Sequence, residues 1–157
     1  MVNKRTVLAV AVVVSLWASS AAHGQDLEAL KAIFAADIQA FNSHKPDAFV
    51  ASAHDRIVLF GILSPFPADG KDEFRQIVQQ YLADNERATF TAINPEFRIA
   101  GTTGIAWGHF SLTSKLKDGP LEYAHGRYTF TYTKADGKWV LVAMHLSPLE
   151  PTYYMNF

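Results

Sequence analysis

Gly126-Arg127-Tyr128-Thr129-Phe130-Thr131-Tyr132-Thr133, followed by the turn Lys134-Ala135-Asp136-Gly137-Lys138 and the run Trp139 to Leu146, decides the fold of this chain. Tyr128, Phe130 and Tyr132 share one parity while Arg127, Thr129, Thr131 and Thr133 share the other, the period-two pattern of a strand with one buried face. Gly137 suits the left-handed position of a short hairpin loop. Trp139 to Leu146 is almost wholly apolar, which predicts a second strand covered on both faces. The two strands form a hairpin in a curved antiparallel sheet.

Upstream, Arg87 to Ile99 (broken at Asn94-Pro95), Gly104 to Leu116 and Leu121 to Thr133 alternate in the same way, and Lys138 to Leu149 completes the set. Connections such as Lys117-Asp118-Gly119-Pro120 are short and turn-rich, so the four strands form an antiparallel meander. The first half reads differently. Asp26 caps a helix whose apolar residues Leu27, Leu30, Phe34, Ile38 and Phe41 recur at spacings of three and four. Pro46 opens a short second helix carrying Phe49 and Val50. Ile57 to Leu63 is a buried strand ended by Ser64-Pro65-Phe66-Pro67. Acidic Asp69, Asp72 and Glu73 precede a third helix with the stripe Phe74, Ile77, Val78, Tyr81 and Leu82. Helices first and antiparallel strands afterwards predict an α+β domain: a conical barrel of curved antiparallel sheet wrapped on about three helices of the N-terminal half, with a cavity at its open mouth.

Lys4 and Arg5, the apolar run Val7 to Trp17 and the small residues up to Gly24 predict a signal peptide over 1–24, cut after Ala22 or Gly24, ahead of a single domain over 25–157. The alternative is an uncleaved anchor. A periplasmic or secreted protein follows, with no membrane segment after cleavage, since no later stretch approaches about 20 apolar residues. Without Lys4 and Arg5 the 14 basic residues fall to 12 against 15 acidic, a formal charge of −3. No basic run invites nucleic acid. The absence of cysteine removes disulfides and thiolate chemistry.

The order of elements, together with Gly126-Arg127-Tyr128-Thr129-Phe130-Thr131-Tyr132, Asp136-Gly137-Lys138-Trp139 and the pair His145-x-Ser147, resembles the SnoaL-like branch of the nuclear transport factor 2-like superfamily. Within it the chain is most similar to the SgcJ/EcaC group, related to the association domain of calcium/calmodulin-dependent kinase II. The resemblance implies a conical α+β barrel, dimeric through its outer sheet face, of a kind that hosts isomerases, cyclases, dehydratases, ligand binders and pure assembly domains. Fold alone does not choose among them. Two departures stand out. Ala143-Met144-His145-Leu146-Ser147 replaces a more polar Asp-His-His-Ser-Ser run, and Arg56 to Leu63 lacks the carboxylate base that steroid isomerases of the superfamily carry after the second helix.

On the Gly104 to Leu116 strand, Ile105, Trp107, His109 and Ser111 share a face opposed by Ala106, Gly108, Phe110 and Leu112, and either face fits the interior. The resemblance to the kinase association domain implies that Trp107, His109 and Ser111 point inward with Tyr128 and Phe130. There His109 would serve as catalytic proton acceptor and donor, or simply as a hydrogen-bond donor to a neighbouring strand. His145 and Ser147 share one face of the last strand, where His145 is either a ligand contact or, with Ser147, the hydrogen bond closing the barrel end. Tyr81 belongs to the core with its hydroxyl within reach of the pocket. Asp37 is a solvated flank of the first helix, with a base role as its alternative. Arg127, opposite in parity to Tyr128, faces solvent or a dimer contact.

His54, His109, His125 and His145 show no metal-ligand spacing, and no phosphate-cradling glycine loop or dinucleotide fingerprint is present. The sequence therefore predicts no metal and no cofactor. Two functions remain: binding, with cofactor-free isomerase or lyase chemistry, of a small apolar or aromatic molecule in the barrel cavity, or a homodimeric assembly module whose cavity is packed. The aromatic tail Pro151 to Phe157 is expected over the barrel mouth or in a subunit interface.

Overall fold

A computed structural model of the chain describes residues 24–62 and 67–149. The expected leader, apart from Gly24, the turn at Ser64-Pro65-Phe66 and the tail from Pro151 lie outside the described residues. Helix α1 spans 24–42. It is followed by α2 (Pro46–Ala51), β1 (Ala53–Phe60), β2 (Ala68–Asp69), α3 (Lys71–Asp84), β3 (Asn85–Ala100), β4 (Thr103–Leu116), β5 (Leu121–Ala135) and β6 (Lys138–Pro148). The α+β architecture follows the sequence expectation. One curved sheet in the order β2-β1-β6-β5-β4-β3 carries the helices on its inner face and does not close into a barrel.

β3 to β6 form the predicted antiparallel meander. The sheet as a whole is mixed, because β1 returns beside β6 and pairs with it in parallel. That pairing depends on a crossover through the entire second half of the chain, and local periodicity carries no trace of it. The β5–β6 hairpin turns on two left-handed residues, Asp136 (φ 50°) and Gly137 (φ 78°), the loop that best matches strand twist. β6 is covered on one side only: Trp139, Leu141, Met144 and Leu146 are buried, whereas His145 is exposed. β3 does not break at Asn94-Pro95. Its register slips between Ile93 and Glu96, Asn94 takes φ 49°, and the strand continues. Because β3 is a sheet edge, proline's missing N–H costs it little.

The first part of that edge is tied to the end of α1 and the turn after it. The side-chain amide of Asn42 accepts from the Phe90 N–H (2.7 Å) and donates to the Phe90 carbonyl (3.0 Å), and His44 Nε2 accepts from the Ala88 N–H (3.1 Å). The helix end thus supplies the hydrogen bonds that an absent seventh strand would offer. α1 buries Leu30, Phe34 and Phe41 against the sheet. Phe34 stacks on Tyr128 and meets Phe97 and Phe130 edge-on, with centroids 5.4 to 5.6 Å apart. Phe90 stacks on Phe110, and Phe41 meets both Phe49 and Tyr81. The core is an aromatic cluster.

One charged group sits among these rings. Asp37, expected as a solvated flank, is only 2% exposed, and its Oδ2 accepts from the Tyr132 hydroxyl at 3.0 Å. Burial raises its carboxyl from 3.8 to about 6, against the lowering effect of hydrogen bonds from Ser52 and Tyr132. The same burial, with the Asp37 charge, pushes the Tyr132 phenol well above its ordinary value. With a folded value above the unfolded one, the native state holds an extra proton in the window from about pH 4 to 6. The stabilisation given by the neutral carboxyl is therefore complete below the lower value and lost as pH rises through the upper one. The rise corresponds to about 3 kcal/mol.

Asp37→Asn keeps the shape and an acceptor for Tyr132. In urea unfolding it is expected to be more stable than the parent by roughly 1–3 kcal/mol at about pH 8, with the advantage shrinking as pH falls and gone near pH 4. An advantage of the same size at both ends of that range would show that the carboxyl is not destabilised by burial.

Candidate functional site

Among the described residues, side chains take up most of the space inside the curved sheet. A wholly apolar cavity of about 30 Å³ remains where Phe41 and Phe49 approach Phe90, Leu112, Phe130 and Leu146. Binding pockets for small molecules run to about 300 Å³ and more, so this residual space does not admit an aromatic molecule.

The inward placement of Trp107, His109 and Ser111 is corrected by the register. On β4 the buried set is Gly104, Ala106, Phe110, Leu112 and Ser114, and Ile105, Trp107, His109 and Ser111 lie on the opposite, outer face. The cause is a fit of large against small. Ala106 lies directly across from Phe130, Gly108 from Tyr128, and Gly126 from Phe110, so each large ring faces a residue without bulk. A Cβ on Gly126 would overlap the Ser147 carbonyl oxygen and the Phe110 ring edge. With Phe110 inward, its neighbours His109 and Ser111 must point out.

Phe130 and Tyr128 are inside as expected, at 3% and 2% exposure. Tyr81 is half-buried and stacked on Phe41; burial raises its phenol, and a hydrogen bond with Ser114 works against the rise. His145 lies on the outer face opposite Thr129, with its ring 5.9 Å from that of Phe60. It therefore points away from the interior of the cone, on the same face as Ser147.

Three of the sequence-selected residues still meet at one place. Where β3 slips register, a pocket of about 460 Å³ opens between Asn94, Glu96 and the outer side chains Trp107, His109, Arg127 and Thr129, and Tyr128 lines it too. Tyr128 belongs to the inner face, yet its hydroxyl lies 3.0 Å from where a Gly108 Cβ would stand, as the Ile93 and Asn94 carbonyl oxygens do at 2.9 and 3.1 Å. The missing side chain of Gly108 brings the phenol oxygen beside the bulge. That oxygen is buried and has no hydrogen-bond partner. Burial pushes its proton affinity up to about 12, so it stays a donor at any physiological pH. Arg127 and His109 face each other directly across β4 and β5, and the Arg98 guanidinium lies 5.7 Å from the centroid of the Trp107 ring. The sequence signal missed was Gly108, a residue without bulk between Trp107 and His109.

A second opening, a groove of about 820 Å³, runs between α1, α2 and the start of β6. Ala29, Ala36 and Ala51 wall it, and Asp37 and Ser52 reach it. Lys134 closes one end by pairing with Asp26, and the Trp139 indole donates to the Asp26 carbonyl at 3.1 Å. Asp37 is the one strongly perturbed carboxylate among the described residues. Among the same residues no three of His, Asp and Glu converge as metal ligands would.

The fold has many solved counterparts. A protein from Xanthomonas campestris, provisionally described as a calcium/calmodulin-dependent protein kinase II association domain, superposes with a TM-score of 0.69 at 20% identity, over 78% of this chain and 87% of its own. A nuclear transport factor 2-like protein with a cystatin-like fold from Novosphingobium aromaticivorans gives 0.72 at 13% identity, over 87% and 90%. A ketosteroid isomerase-like protein from Erwinia carotovora atroseptica gives 0.69 at 22%, over 80% and 98%. At these identities the likeness is one of fold. No curated protein matches the chain in sequence. The family model of the SnoaL-like domain matches residues 30–151, through both the helices and the meander, and the chain belongs to the SnoaL-like domain family.

Proposed function

We propose that this protein is a self-associating module that pairs with a second copy of itself through the outer face of its sheet. One observation carries the reading. Every large apolar residue exposed among the described residues, Val58, Phe60, Ile93, Leu121 and Tyr123, belongs to that one face. Phe60 and Tyr123 are 58% and 66% exposed. They run from β1 across the face to the β3 edge and the start of β5.

The middle of the face suits a two-fold contact. Thr129 and Thr131 of β5 and Ala143 of β6 are short side chains that let two sheets approach closely, and His145 stands beside Thr129. The packed interior supports the same reading, since there is little room for a ligand in the cone. The description of the Xanthomonas relative as an association domain is consistent with it. The module works outside the cytoplasm in this reading, on the strength of the basic start, the apolar run and the small residues that precede Gly24.

Light scattering on the purified 25–157 chain is expected to give the mass of a dimer at about 10 μM, as a standard-sized interface would. Thr131→Glu sets two carboxylates against each other near the two-fold axis and should yield folded monomer with unchanged far-ultraviolet dichroism. A parent chain that is monomeric, or a Thr131→Glu variant that remains fully dimeric, dismisses the reading. N-terminal sequencing of full-length protein recovered from a bacterial periplasm should begin at His23 or Gln25; an intact Met1 would remove the export step.

A further inference from the structure

We propose that the pocket at the β3 bulge binds a small zwitterion, a free amino acid with an apolar side chain. One chain supplies every group, so the site does not rest on self-association. Glu96 and Arg127, of opposite charge, line the same pocket of about 460 Å³. Both are exposed, and among the described residues neither takes part in an ion pair. The sheet keeps them apart. Glu96 lies across from Trp107, while Arg127 lies across from His109, one rung further along β4. They stand on β3 and β5 with β4 between, so their backbones are two strand spacings apart, about 10 Å. The register slip sets Asn94 and Pro95 together against Gly108, and the pocket opens at that point.

A guest that matches both charges carries both signs itself. Its carboxylate meets the Arg127 guanidinium, whose fork suits two oxygens, with the His109 ring across from that residue. Its ammonium meets the Glu96 carboxylate. Between the two charges the surface is apolar, since Trp107 and Ile105 line the pocket there. The Arg98 guanidinium is not among the lining groups; it lies 5.7 Å from the centroid of the Trp107 ring, where the indole attracts it. An apolar side chain on the guest gains by covering that indole. A purely anionic guest leaves Glu96 repelling it, and a purely cationic one leaves Arg127 doing so. The pocket falls near the small end of the range for ligand sites, about 300–1,000 Å³, which suits one amino acid rather than a peptide.

The test titrates L-phenylalanine into the isotopically labelled 25–157 chain at about pH 7, where both its charges are present. Hydrocinnamate, which lacks the ammonium, and phenethylamine, which lacks the carboxylate, are the controls. Phenylalanine is expected to saturate, with shifts centred on the Trp107 indole and the Thr129 amide, and to bind at least about tenfold more tightly than either control. Glu96→Gln should bring phenylalanine down to the affinity of hydrocinnamate and leave hydrocinnamate within about twofold of its parent value. Arg127→Gln should bring phenylalanine down to the affinity of phenethylamine and leave phenethylamine unchanged in the same sense. Both side chains are exposed, so the fold is expected to survive either change. The proposal is overturned by no saturation by about 10 mM, by shifts centred away from Trp107, by a control that binds as tightly as phenylalanine, or by either variant binding phenylalanine like the parent.

Discussion

The seat of Phe34 between Tyr128, Phe97 and Phe130 is the contact on which the rest of this molecule depends. It is where α1 meets β3 and β5 at once, and it sets the distance between helix and sheet. Three aromatic contacts contribute about 0.5–1.5 kcal/mol each beyond the burial of the rings. Against a net stability of roughly 5–15 kcal/mol for a domain, that is a large share from one side chain. The consequence runs outward from there. Rings as large as Tyr128 and Phe130 lie flat in a one-layer interior only if the neighbouring strand withdraws its own bulk, and β4 does so with Ala106 and Gly108. Gly126 makes the same concession to Phe110. Space that could hold a guest inside the sheet is spent on side chains, and the chemistry left over is displaced to the other face.

Asp37 shows what such an interior does to a charge. Two effects oppose each other there: transfer out of water favours the neutral acid, and bonds from Tyr132 and Ser52 favour the anion. The first wins, since two neutral hydroxyl donors restore only part of the hydration that a carboxylate loses. A carboxyl near 6 beside a phenol, reaching a groove between two helices and a hairpin, meets the electrostatic condition for a general acid or base. No positioned donor or cation in that groove identifies a reacting partner. Of the two lysines that line it, Lys134 is paired with Asp26. The effect of the dyad on stability needs no ligand.

Much of the fold was legible from local pattern because local pattern is what makes it. The stripe of Leu30, Phe34 and Phe41 buries as a helical period requires, and the Asp136-Gly137 loop follows from the one pair of residues in the hairpin that tolerates positive φ. The pairing of β1 with β6 was not legible, since the partners are separated by the whole meander. Asp37 escaped for the same reason: its partner Tyr132 is 95 positions away, and a carboxylate in a helix ordinarily reads as solvated. The face of β4 was the consequential misreading. Both faces of that strand carry large residues, Ile105 and Trp107 on one and Phe110 and Leu112 on the other, so parity alone is symmetric. The asymmetry lies in Ala106 and Gly108, and it becomes visible only when the strand is set against Tyr128 and Phe130. Direct antiparallel neighbours share a face. Once Thr129 is outward, Trp107 across from it must be outward too.

The residue that joins the two sides is Tyr128. Its ring belongs to the aromatic core and its hydroxyl to the bulge, and the same absence of a side chain at Gly108 permits both. A phenylalanine would serve the core equally well and spare the unpaired oxygen, so packing alone gives no reason for a tyrosine at this position. β-bulges bend a strand and re-aim its neighbours, and they are frequent beside sites of function. Here the bulge lies on an edge strand already secured by Asn42 and His44, where the ladder can be interrupted without exposing a long unpaired edge. The face that carries the exposed apolar residues also holds the pocket at the β3 bulge. A second copy of the chain seated on β1, β5 and β6 would cover Val58, Phe60 and Tyr123 and leave Ile93 on the β3 side at the rim of the contact.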